Sequence, residues 1–200
     1  MENKIRICID PGHGMSNRIY GIYDPGITRG EYSEAKIVME YALSLKFHLT
    51  HRGVPVYLIR KNAADHAPLN TRPLRAESNG CTHYISLHLN GGGRITANGT
   101  ETFYRTSESR NLAEQLQLTT VRVFNFTNRG VKTEGELPLL PDGSKRRLRV
   151  LDAAMPAALL EIGFLPNSHN IRRIVSAPNR RFWAETMAND LIQAWKEKLI

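Results

Sequence analysis

The sequence predicts a single α/β domain over residues 1–200, with a central, mostly parallel sheet of about six strands and helices on both faces. Three observations carry this. Short apolar runs of strand length alternate with stretches of helical periodicity. Glycine, proline or asparagine closes most of those stretches. The length suits one sizeable core, and 41% hydrophobic and 23% charged residues are the proportions of a globular chain.

The elements follow in order. Ile5, Ile7 and Ile9 alternate as a strand buried on at least one face. Pro11, Gly12 and Gly14 break it, so His13 is presented on a tight turn at a strand end, where sites on α/β sheets tend to lie. Residues 15–33 read as a long polar loop. Ser33 is the expected N-cap of a helix whose Val38, Tyr41, Ala42, Leu45 and Leu49 recur at helical spacing, with Gly53 at its C′ position. Residues 54–59 form a second strand, and 71–78 a short helix stopped by Asn79 and Gly80.

Residues 83–89 form a third strand, followed at once by the loop of Gly91, Gly92 and Gly93. Residues 99–105 form a fourth strand near an edge, and 107 to about 125 an amphipathic helix with Leu112, Leu116 and Phe124 inward. Val131 begins a short strand, and 133–149 read as an exposed, mobile loop. Residues 156–163 form a buried strand carrying Glu161. A last helix spans about 179–199, with Trp183, Met187, Leu191, Trp195 and Leu199 on one ridge.

Composition limits the function. No apolar run approaches a membrane span. Residues 1–4 pass straight into a strand pattern without a secretory leader, so the expected location is the cytoplasm. Cys8 and Cys81 form neither a metal-type pair nor a disulfide framework and read as buried free thiols. Net charge is +8, and +5 of it lies in residues 145–200. Such charge suits an anionic polymer; no finger, RNP-type or basic-helix motif supports nucleic acid.

His88 repeats the situation of His13, at a strand end beside flexible backbone. Two such histidines suggest two metal ligands on one edge of the sheet. A carboxylate in the first helical turn completes the set, either Glu34 or Glu31. Two imidazoles and a carboxylate, without cysteine, suit a hydrolytic zinc site with one open position. Glu161 sits in an otherwise apolar run. It is either a proton shuttle for metal-bound water or one half of an ion pair with an arginine. Asp10 is a candidate to orient His13, or a turn cap.

These residues resemble the zinc-dependent N-acetylmuramoyl-L-alanine amidases, which cut peptidoglycan. The resemblance runs nearly end to end: I-D-P-G-H-G (9–14), S-E-A-K-I-V-M-E-Y-A-L (33–43), L-N-T-R (69–72) and I-S-L-H-L-N (85–90), then G-T-E-T-F-Y (99–104), N-R-G-V-K (128–132) and M-P-A-A-L-L-E-I-G-F-L-P-N (155–167). It implies zinc held by His13, Glu34 and His88, with Glu161 catalytic; the spacing within the helix block selects Glu34 over Glu31. It also implies a peptidoglycan substrate cut between N-acetylmuramic acid and L-alanine. A secretory leader, a long autoinhibitory helix and wall-binding repeats, known in parts of that family, are not seen. The expectation is therefore a phage or prophage endolysin that reaches the wall after membrane breach; a catalytic domain cut from a secreted enzyme would look similar. The basic C-terminal third would aid docking to anionic wall or outer-membrane polymers. A non-catalytic wall-binding relative and a zinc peptidase cutting another bond are the alternatives.

Overall fold

The computed structural model describes residues 4–17, 19–92 and 95–200; residues 1–3 of the leader reading and Gly93 of the glycine loop lie outside them. The described elements are β1 (Ile7–Pro11), β2 (Thr28–Arg29), β3 (Tyr32–Ser33), α1 (Glu34–His51), β4 (Val56–Leu58), α2 (Arg72–Ser78) and β5 (His83–Asn90). They continue with β6 (Thr100–Tyr104), α3 (Arg110–Phe124), β7 (Asn128–Thr133), β8 (Ala157–Phe164), α4 (Ser168–Ile174) and α5 (Ala177–Lys196).

Six strands form one sheet in the order β4-β1-β5-β8-β6-β7. The four from β4 to β8 are parallel. β6 runs antiparallel to β8, and β7 parallel to β6. The strands richest in apolar residues take the centre, because a strand covered on both faces has no solvent side to make polar. All five residues of β1 are buried, as are seven of eight in β8.

The two faces are covered unequally. On one, Ile9, Ile85, Leu87 and Leu160 pack under Leu45 of α1, Leu116 of α3, and Met187 and Leu191 of α5. On the other, Cys8, Tyr84 and Leu159 meet Ala76 of α2 and Val150 and Leu151 of a short 3-10 turn, Arg149–Asp152. This thinner cover leaves a cleft over β6 and β8, with Glu101, Phe103 and Glu161 in its wall. Both cysteines are buried and free. No helix among the described residues is long and apolar enough to cross a membrane.

Several elements depart from the sequence reading. The loop at 15–33 holds the small β2–β3 hairpin. Ser33 does occupy the N-cap of α1, but its hydroxyl is buried without a partner. The first amides of α1 instead donate to the carbonyls of Ile27 and Pro25, at 2.8 and 3.0 Å, which pins that loop against Glu34. β7 starts three residues before Val131. Residues 134–149 are largely exposed, yet Arg105 ties Glu134 and the Leu148 carbonyl together at their base.

α4 is additional to the sequence reading; Asn167 caps it by accepting from the amides of His169 and Asn170. α5 ends at Lys196, and Leu199 is 51% exposed while Trp183, Met187 and Leu191 are fully buried. Leu199 lies beyond the helix end, after Lys198 turns the chain with a left-handed φ of 58°. Within the helix a four-residue step slips about 40° per repeat, so the ridge is already rotating off the buried face at Trp195, which is half-buried.

Candidate active site

The site is assembled at the carboxyl ends of β1 and β5. β1 ends at Pro11, and the turn after it carries His13 in a left-handed conformation, φ 60°. That backbone is strained for a residue with a side chain, and two fully buried arginines hold it. Arg60 donates to the carbonyls of Pro11 (2.9 Å) and Gly12 (2.7 Å), and Arg72 to the carbonyl of His13 (2.6 Å). Gly12 is required by close approach: a Cβ there would lie 2.3 Å from the His88 ring. Gly26 is required twice over. It has φ +64°, and a Cβ would meet the His13 ring and Glu34 at 2.7 Å.

The three expected ligands converge. His13 Nε2 lies 3.0 Å and His88 Nδ1 2.9 Å from Glu34 Oε1. One ligand atom from each residue falls within 4.8 Å of the other two. Glu34 is buried and fixed by the backbone, since its Oε1 accepts from the Leu89 amide and its Oε2 from that of Ile27. Glu31, the competing carboxylate, is exposed in the β2–β3 turn and outside this group.

Asp24, rather than Asp10, supports His13, with Oδ2 2.8 Å from Nδ1. Asp10 lies beneath the turn, paired with Arg72 at 2.8 Å and accepting from the hydroxyls of Tyr84 and Ser86. Sequence reasoning passed over Asp24, because it lies eleven positions along a loop from His13 and only the fold closes the gap.

Electrostatics make the cluster a ready cation site. Burial alone would raise the Glu34 pKa, but hydrogen bonds from His13 and His88 hold it far below the usual carboxylate range. For His13, burial works downward, and the Glu34 and Asp24 carboxylates override it to give a net rise. Two imidazole nitrogens and a carboxylate oxygen fit a zinc-type ion with a further position open. Asp24 is the kind of outer carboxylate that fixes a ligating histidine's tautomer.

Glu161 stands beside His88 in the β5–β8 register. Its Oε2 is buried without a hydrogen-bond partner. Burial first, then the charges of Glu34 and Glu101, push its pKa well above the ordinary value. The arginine ion pair that the sequence left open is absent among the described residues. Arg129 and Lys132 bond instead to Glu101, the residue opposite Glu161 on β6. Glu101 escaped notice although it carries the same sequence signal as Glu161, a carboxylate within a strand, and is itself buried. The remaining histidines, His48, His51, His66, His83 and His169, stay outside the cluster.

The chain is similar to proteins of one family. The family model described as N-acetylmuramoyl-L-alanine amidase matches residues 7–193. The sporulation-specific N-acetylmuramoyl-L-alanine amidase of Bacillus subtilis is 28% identical over 199 residues, 97% of this chain and 69% of that protein. The germination-specific N-acetylmuramoyl-L-alanine amidase of the same organism is 28% identical over 176 residues, 80% of this chain and 67% of the relative. A crystal structure of N-acetylmuramoyl-L-alanine amidase from Clostridium difficile 630 superimposes with a TM-score of 0.82 at 25% identity, covering 98% of this chain and all of the other.

Proposed function

Because the chain belongs to the N-acetylmuramoyl-L-alanine amidase family, we propose that it hydrolyses the peptidoglycan amide between N-acetylmuramic acid and L-alanine with a zinc ion held by His13, Glu34 and His88. The observation that carries this is the convergence of those three side chains next to Glu161, whose buried Oε2 has no partner. When bound, zinc supplies Lewis acidity, polarising a carbonyl and making water a stronger acid. Glu34 and the Asp24–His13 hydrogen bond pre-orient the ligand atoms, so little ordering remains when the ion enters.

Glu161 is the acid–base group. Burial raises its pKa above the ordinary carboxylate value, which favours holding a proton, and a dication nearby would lower it again and favour releasing one; a group that can do both suits acid–base work. Its carboxylate takes a proton from the attacking water, whose oxygen bonds to the lactyl carbonyl carbon. The same proton passes to the amide nitrogen as the C–N bond breaks, leaving a muramoyl carboxylate and the free amine of L-alanine.

We place this activity in cell lysis, on wall reached from the cytoplasm after membrane breach. The net charge of +8 suits docking to the anionic wall or outer-membrane polymers that such a role would meet. Digestion of purified peptidoglycan by zinc-loaded and by chelated protein tests the chemistry. Mass spectrometry should find free muramoyl carboxylates paired with new L-alanine amino termini in the zinc-loaded digest alone. New termini at any other bond would refute the amidase reading, and equal cleavage by metal-free protein would refute the zinc.

A further inference from the structure

Beyond Glu161 the cleft continues over β6 and β7, with a volume of about 670 Å³. Three cations, Arg129, Lys132 and Arg146, stand in its wall, and none belongs to the hydrolytic set. β6 and β7 pair Thr100 with Asn128 and Thr102 with Val131, so Arg129 and Gly130 together stand opposite Glu101. This is a β-bulge, and Gly130 takes a left-handed φ of 82° within it. Its consequence is specific. Arg129 and Lys132 are three apart and would point to opposite faces of a regular strand. The extra residue brings both onto Glu101.

Glu101 holds them without silencing them. Its carboxylate is 7% exposed and accepts from Asn90, Lys132 and the Nε of Arg129, the last at 3.0 Å. Held by Nε, the guanidinium keeps both Nη groups without a protein partner among the described residues. Its plane is fixed again by Phe164, whose ring centroid lies 5.0 Å away, and its stem runs against Gly99, where a Cβ would come within 2.8 Å. Across the whole cleft Arg129, Lys132 and Arg146 are matched by Glu101, Glu136 and Glu161; the local excess is at Glu101, where two cations meet one carboxylate. A planar fork with free Nη groups is the geometry that takes a carboxylate two-handed.

We propose that Arg129, aided by Lys132, is a specificity site that binds a free carboxylate on the stem peptide, one residue beyond the L-alanine released by the cut. This rests on the amidase reading. In that reading the lactyl group has lost its own charge to the amide, so an anion near the cut belongs to the peptide side. Glu161 returns its proton to the peptide's nitrogen and forms the cleft wall together with Arg129, while His13 and Glu34 lie on the opposite side of β5. The leaving peptide therefore extends toward β7. Walls whose second stem residue carries a carboxamide instead would lose this charge-assisted contact.

The test uses two muramoyl tripeptides, identical except for a free carboxylate or a carboxamide on the second peptide residue. Zinc-loaded wild type should favour the acid at least about 10-fold in kcat/KM. Arg129→Gln should bring that ratio to within about three-fold of unity, chiefly through KM on the acid. Lys132→Met should reduce it partially, and serves if Arg129→Gln does not fold. Titration of metal-free protein with the two released peptides gives a readout independent of turnover, and the acid should bind more tightly. Equal turnover of both substrates by wild type, or an unchanged ratio in a folded Arg129→Gln protein, overturns the carboxylate site. Failure of wild type to cut either one overturns the amidase reading beneath it.

Discussion

Replacing Glu161 by glutamine keeps the shape of the side chain and removes its ability to carry a proton. Its Oε2 has no partner and its charge is opposed by burial and by two nearby carboxylates. The neutral amide should therefore leave the melting temperature unchanged or raise it. His13, Glu34 and His88 remain, so zinc content should match wild type. Turnover should fall by roughly 10²–10⁴-fold, the range for loss of a positioned acid–base group. The three measurements belong on one preparation, and a zinc-loaded variant with wild-type turnover would remove Glu161 from the mechanism.

At the scale of elements, β5 shows one strand used in two ways. Its end presents His88 to the ligand cluster, while its start buries His83. Burial holds the His83 imidazole neutral and lowers its pKa from 6.5 to about 4. In the unfolded chain the same ring takes a proton near pH 6.5. Between those values the unfolded state binds more protons, so this residue makes stability fall as pH falls from 6.5 to 4 and contributes nothing above about pH 7. The total loss is roughly 3 kcal/mol. Urea denaturation at pH 7.5 and pH 4.5 should show His83→Phe losing less stability between the two than wild type does. Equal losses would mean that the imidazole takes up its proton in the folded state as readily as in the unfolded one.

At the scale of the whole molecule, the sheet is thickly covered on the face of α1, α3 and α5 and thinly on the other, and the cleft opens on the thin side. A polymeric substrate needs an open groove of this kind rather than an enclosed pocket. The lytic role predicts that the protein, produced inside a Gram-negative cell, leaves the cells intact until the inner membrane is permeabilised. A fall in culture turbidity should then follow within minutes, and not with His88→Ala protein. Lysis without any permeabilising agent would count against a role that waits for membrane breach.

The sequence alone determined the main strands and helices and the two converging histidines, His13 and His88, while the resemblance to a family chose Glu34 over Glu31. Period-two and period-3.6 patterns follow directly from burial, and strand-end histidines beside glycine are visible as text. It determined less about anything that depends on position around a helix or across a loop. The drift of the α5 ridge, the capping of α4 by Asn167 and the replacement of Ser33's cap by loop carbonyls are geometric outcomes. The choice of Asp24 over Asp10 beside His13, and of Glu101 over Glu161 as the arginine's partner, was decided only by tertiary structure. Both turn on where a chain segment returns in space: a polar loop folds Asp24 back onto the turn, and a one-residue bulge swings Arg129 across a strand. Spacing in a sequence reports which residues share a face of one element; it does not report which elements meet.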